Sequence, residues 1–166
     1  MVHSDYSQLD LSRFAEPDRY KFLMGTVIPR PIALVTSLSH EGVLNAAPFS
    51  QFVVISVTPS LLGFVAHESE NGLKDTVRNV LESEEYVVNT VSERMAAQVQ
   101  ACSESFPRSV SEVVEVGFHT LPSTLVRPSR IAESPVHFEC RLHRTAEFGH
   151  EGSRSTALKA WCRAIA

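Results

Sequence analysis

Lys74, Asp75 and Thr76 stand at the start of a stretch with helical periodicity, and they form the chain's best concentration of groups able to hold an anion. A helix start carries backbone N–H groups with no intrahelical acceptor and the positive end of the helix dipole. An ammonium from Lys74 and a hydroxyl from Thr76 would complete a seat for a phosphate there. Asp75 would accept from the first-turn amides or from a ligand hydroxyl. Taken alone, the three residues describe first an ordinary helix start with a solvated lysine and a capping aspartate. Arg30 lies between Pro29 and Pro31, whose fixed φ angles aim its side chain, and a guanidinium can grip phosphate through two parallel hydrogen bonds. A surface ion pair explains Arg30 equally well. Asn45, Ala46, Ser50 and Phe52 surround Pro48, which cannot donate a ladder bond. Small residues beside such an interruption let backbone groups approach the edge of a planar ligand. The competing explanation is a strand bulged at Pro48, with Phe49 or Phe52 in the core.

Other chemistries lack their signatures. The 7 histidines are scattered, with no paired spacing on a helix and no carboxylate cluster, so the sequence offers no metal site. His67 precedes the Lys74 segment and reads as a solvated loop histidine, near enough in sequence to approach a ligand bound there. No GxSxG, Walker or GxGxxG pattern occurs, which leaves hydrolase, nucleotide triphosphatase and Rossmann readings without support. The 3 cysteines, Cys102, Cys140 and Cys162, form no CxxC pair and read as reduced thiols of a cytosolic protein.

The elements that must position these residues are mostly strands. Residues 1–19 read as an irregular arm with a helical turn, and residues 18–24 as a short helix capped by Asp18. Residues 32–38, rich in apolar and β-branched types, predict a strand. The turn signal at Ser39 to Gly42 returns the chain through a strand at 43–47, and Pro48 marks an edge, bulge or end. Residues 49–57, 61–66, 86–91 and 136–142 read as further strands. Residues 74–83 form a helix with Leu73, Val77, Val80 and Leu81 on one face, and residues 92–101 a second. Residues 102–122 read as loop. Few helices and early hairpin connections favour an antiparallel sheet that curls into a barrel.

At 166 residues the chain suits one domain with a real core. Its 43% apolar and 20% charged content is ordinary for a soluble globular protein. A net charge of -4 argues against nucleic acid or an anionic membrane as partner. No apolar run is long enough to span a bilayer, and the N-terminus lacks signal-peptide features, so a cytoplasmic location is expected.

Three segments, in this order, resemble one family: residues 27–36 (VIPRPIALVT), 42–52 (GVLNAAPFSQF) and 72–79 (GLKDTVRN). Residues 86–89 and 128–141, with Glu139, Cys140 and Arg141, are similar to it as well. The pattern, across residues 20 to 145, is that of the flavin-reductase-like proteins with an FMN-binding split barrel. The resemblance implies a mainly β fold: a Greek-key-type antiparallel split barrel with short flanking helices. It implies FMN as cofactor, held by Arg30, Asn45, Ala46, Ser50, Phe52, Lys74, Asp75 and Thr76. It also implies NAD(P)H as co-substrate, hydride transfer from it to FMN, a homodimer, and in some cases a partner monooxygenase. No protein side chain is then required as a catalytic acid or base, because the flavin carries the chemistry. Two alternatives keep the fold and change the function: an FMN-binding electron carrier without nicotinamide turnover, and a non-enzymatic barrel that has lost FMN. The domain is expected over residues 20–166. Family members continue with further strands, whereas residues 159–166 break the strand pattern, so the barrel is expected to be incomplete or divergent after about residue 158.

Overall fold

The computed structural model describes residues 7–68, 72–149 and 155–165. Two compact units divide the chain at Arg30. In the first, Glu16–Thr26 forms helix α1. It starts earlier than residue 18 because Pro17 sits in its first turn, where its fixed φ and missing N–H suit a helix.

The second unit holds the barrel. Its strands are β1 (Ala33–Leu38), β2 (Leu44–Phe49), β3 (Phe52–Ser56), β4 (Leu61–His67), β5 (Glu85–Thr90), the short pair β6 (Thr120–Leu121) and β7 (Arg130–Ile131), β8 (His137–Phe148) and β9 (Ser155–Ile165). The helices are α2 (Asp75–Ser83), α3 (Ala96–Ala101) and α4 (Glu112–Glu115). Seven strands form one antiparallel sheet in the order β2-β1-β5-β8-β9-β4-β3. The outermost strands, β2 and β3, are consecutive in the chain and joined by Ser50 and Gln51 alone. That link forces the sheet to curl until its two ends meet. The Val65 amide donates to the Gln51 carbonyl at 2.9 Å and fixes the corner.

Residues 159–165 differ from the sequence expectation. They extend β9: residues 159–161 lie between β4 and β8, with Leu62 opposite Ala160, and residues 162–165 pair with β8, with Cys140 opposite Cys162. The period of two was present but faint: Thr156, Leu158 and Ala160 alternate inward along β9 and are buried. Cys140 and Cys162 are joined by a disulfide across this pair, their Cα atoms 4.2 Å apart. The expectation of reduced thiols therefore holds for Cys102 alone. Residues 112–115, read as loop, form a helical turn, and residues 120–121 and 130–131 form a ribbon.

β1 is buried on both faces. Because side chains alternate along a strand, Ala33 and Val35 join the barrel interior with Phe49, Phe64, Tyr86, Val88 and Leu158. Leu34 joins an outer cluster with Ala46, Met95, Val99 and Val113. Tyr86 meets Phe64 edge-on at 5.6 Å. Asn89 and Glu139, both within segments that carried the resemblance, serve the scaffold. The Asn89 amide donates to the Leu34 carbonyl and its oxygen accepts from the Ile131 amide. The Glu139 carboxylate, with no exposed side-chain area, accepts from the Thr124 and Leu125 amides. By contrast, β3 turns Val53, Val54 and Ile55 to solvent, with Val57 after them 80% exposed.

Candidate functional site

Helix α2 sets the site. Thr76, Val77, Asn79 and Val80 are its buried residues, spaced so that one face meets the sheet. Val77 and Val80 enter the barrel interior. The polar members of the same face tie the helix to β1 and β2. Asn45 Nδ2 donates to Thr76 Oγ1 at 2.9 Å, and Asn79 Nδ2 donates to Ser37 Oγ at 3.1 Å. Ser37 and Asn45 are directly opposite in the β1–β2 register, so the two bonds pin adjacent turns of the helix to one rung of the sheet.

The start of α2 opens into a cavity of about 430 Å³, within the usual size range of ligand sites. Asn45, Lys74, Asp75, Thr76, Arg78 and Arg108 are among the residues lining it. No side chain caps the helix, although Lys74 occupies the cap position. Lys74 is exposed and makes no ion pair among the described residues. Thr76 Oγ1 accepts from Asn45, while its own hydrogen has no acceptor among the described residues. Asp75 does not cap the helix. It pairs with Arg78 at 3.5 Å and with Arg108 at 3.8 Å, holding both guanidinium groups at the cavity. Arg78 also donates to the Leu73 carbonyl at 2.7 Å. The arrangement is an uncapped helix end, an unspent hydroxyl hydrogen and a group of cations facing one space. Its chemistry fits a phosphate ester.

A second cavity, about 370 Å³, is lined by Ile32, Pro48, Ser50, Val91, Ala96, Val99 and Gln100. Pro48 lines both cavities, so the polar and the apolar space are neighbours. Pro48 fits at this point because β2 is an edge strand. The Ala46 amide points away from β1, to Glu112, and residue 48 has the same orientation two residues on, where a missing N–H breaks no ladder bond.

Of the residues singled out in the sequence, Asn45, Lys74, Asp75 and Thr76 line the polar cavity, and Ser50 lines the apolar one. Phe52 packs against the barrel core and lines neither cavity. Ala46 is buried in the outer cluster, and its amide is taken by the Glu112 carboxylate. Arg30 belongs to the N-terminal unit, where its Nη1 donates to the carbonyls of Met24 and, at 2.7 Å, Val27. Arg78, Arg108 and Glu112 were missed. Arg78 was legible as the residue four after Lys74 on one helix. Arg108 and Glu112 come from the 102–115 segment, whose sequence reads as loop, and only the fold brings them to the cavity. His67 is no solvated loop residue. It ends β4, its Nε2 pairs with Gln51 Oε1, and Ser155 Oγ lies 2.9 Å from its Nδ1. Burial, with the Lys74 charge adding to it, holds the His67 pKa below the usual value.

Comparison with known proteins identifies the family and the fold. The family model of the flavin reductase like domain matches residues 24–153. A protein of Aquifex aeolicus is 43% identical over 126 residues, which cover 75% of this chain and 64% of that protein. The chain thus spans somewhat less than two thirds of this relative's length. Among solved structures, the 2-nitrobenzoate 2-nitroreductase NbaA of Pseudomonas fluorescens has a TM-score of 0.86 at 34% identity, over 96% of this chain and 76% of its own. Nitrilotriacetate monooxygenase component B from Bacillus cereus has a TM-score of 0.91 at 30% identity, over 96% and 80%. A split-barrel flavin reductase of Shewanella frigidimarina shares the fold, with a TM-score of 0.79 at 15% identity, over 96% and 78%.

Proposed function

The chain belongs to the flavin reductase-like family, and from that premise we propose that it is an oxidoreductase that binds FMN and passes hydride to it from NAD(P)H. The observation that carries the reading is the polar cavity at the uncapped start of α2, adjoining an apolar cavity across Pro48. Lys74, Arg78 and Arg108 would hold the phosphate by charge, and the Thr76 hydroxyl would donate to it. Asn45 positions that hydroxyl by occupying its acceptor side. Asp75 keeps the arginines from swinging into solvent. Ile32, Val91 and Val99 offer an apolar wall for the ring beside Ser50, whose hydroxyl is suited to its polar edge. Bound FMN supplies a ring that accepts hydride and passes electrons onward.

Two further features belong to this reading. The exposed apolar edge formed by Val53, Val54 and Ile55 is a surface that a second copy would cover, which supports a homodimer. The likeness to nitrilotriacetate monooxygenase component B supports a partner oxygenase that consumes the electrons. NAD(P)H is a cytoplasmic reductant, and we place the protein in that compartment.

An absorbance spectrum of the purified full-length protein, before and after anaerobic NAD(P)H, tests the proposal. A flavin spectrum that bleaches with NAD(P)H is the expected result. Protein that is colourless and does not take up FMN at micromolar concentration would refute it. Bound FMN that NAD(P)H leaves oxidised would select an electron carrier instead.

A further inference from the structure

The cavity at α2 contains a carboxylate in the wrong place for an anion site. Glu112 lines it together with Lys74, Asp75, Thr76 and Arg108. Its Oε2 accepts from the Ala46 amide on the edge of β2 at 3.0 Å. The neighbouring Ser111 hydroxyl donates to the Leu44 carbonyl, so the start of α4 is fastened along that edge and Glu112 is held in place. Asp75, the other carboxylate at the cavity, is matched by Arg78 and Arg108. Glu112 forms no ion pair among the described residues. Besides the Ala46 amide from β2, the charged and titratable groups that line the cavity with it are Lys74 at the cap of α2, Asp75 and Arg78 on α2, and Cys102, Glu104 and Arg108 on the segment before α4.

We infer that Glu112 couples occupation of the phosphate site to the uptake of one proton, so that the site accepts its anion with Glu112 in the carboxylic acid form. The inference rests on the flavin reading and says how that site is regulated. A phosphate dianion in this cavity meets the Glu112 charge directly, and like charges in one site favour protonation of one of them. Burial already pushes the Glu112 carboxyl up, the Ala46 amide and Glu112's own backbone amide oppose it, and the Asp75 charge adds to the rise. The net direction is upward, and Glu112 has no cation paired with it among the described residues. Once protonated, Glu112 keeps an oxygen for the Ala46 amide and gains an O–H that can donate to a phosphate oxygen.

The sign of the effect is distinctive. Between the pKa of Glu112 in the empty site and its higher value in the complex, binding takes up a proton, and affinity falls by up to tenfold per pH unit as pH rises. The second ionisation of a phosphate monoester, near pH 6, acts in the opposite direction, because the dianion binds cations better. Riboflavin has no phosphate and is blind to both effects.

The test is the dissociation constant of FMN and of riboflavin from pH 5 to 9, with calorimetry in two buffers of different ionisation enthalpy to count protons. Net proton uptake with FMN and none with riboflavin is expected for the unaltered protein. Glu112→Gln, which can still accept from Ala46, is expected to abolish the uptake. It is also expected to bind FMN roughly tenfold tighter at pH 8 for each pKa unit lost, an advantage that shrinks as pH falls. Identical pH slopes for the two proteins, or proton release above about pH 7 where FMN is already the dianion, would overturn the coupling while leaving the flavin site intact. FMN binding that Lys74→Ala does not weaken would instead overturn the phosphate site and the coupling with it. The comparison of FMN with riboflavin on the unaltered protein stands even if the variant folds poorly.

Discussion

Replacing Thr76 by Val separates the two duties of one hydroxyl. In the structure it accepts from Asn45 at 2.9 Å, with Asn45 8% and Thr76 1% exposed, and it has a hydrogen left over for a ligand. Valine keeps the β-branch and nearly the same helix propensity, so what disappears is the hydroxyl. The Asn45 amide then remains buried with no acceptor, which costs about 1–3 kcal/mol. For a chain of this size that is roughly 2–12 °C in melting temperature. The lost bond to a charged phosphate weakens FMN binding by about 1.5–3 kcal/mol, roughly a 10- to 150-fold rise in Kd. Thermal melts of the apoprotein and fluorescence titrations with FMN measure the two independently. Asn45→Leu combined with Thr76→Val removes both partners of the bond. It is expected to recover much of the stability but none of the affinity. An unchanged melting temperature in Thr76→Val would show that the hydrogen bond contributes nothing. Unchanged FMN affinity would remove Thr76 from the site. Equal losses for FMN and riboflavin would refute the assignment to phosphate.

Lys74→Ala is expected to leave stability within about 0.5 kcal/mol, because the side chain is exposed and unpaired among the described residues. The same change should weaken FMN about 5- to 30-fold while sparing riboflavin, by the same titration. Burial, with the Lys74 charge, lowers the His67 pKa in the fold, so the unfolded chain binds more protons just below the ordinary histidine pKa of 6.5. Stability therefore falls as pH drops through that value, and melts from pH 7.5 to 5 should show a shallower fall in His67→Gln. Thiol titration of denatured, unreduced protein should find Cys102 alone, with Cys140 and Cys162 appearing after reduction. Their bridge closes a separation of 22 residues, and its reduction should cost about 3 kcal/mol on the chain-entropy model, read as a shift in the urea midpoint.

The sequence by itself determined what depends on local pattern. The runs around Leu34, Phe64 and Val88 had to be strands, because apolar and β-branched residues over lengths of five to seven bury best in a sheet. The stretch after Lys74 had to be an amphipathic helix, and the ordered motifs on either side of it specified a flavin-type split barrel. Lys74, Asp75 and Thr76 were legible as one group because one helix turn carries them all. The tertiary structure decided the rest, because it depends on pairs far apart in the chain. Asp75 looked like a cap and is instead the anchor of Arg78 and Arg108, since Arg108 arrives from 33 residues away. Ala46 is buried in the outer cluster and Phe52 packs partly buried against the barrel core, placements that the sequence did not show because the strand period that orients them is fixed only when the sheet closes. Residues 159–165 looked like the end of the pattern. They become a strand because β8 runs alongside all of them, and β4 alongside residues 159–161, supplying the ladder partners that their own propensity does not demand. Glu112 had no local signature at all. Its carboxylate reaches the cavity at the start of α2 only because α4 is fastened along the edge of β2.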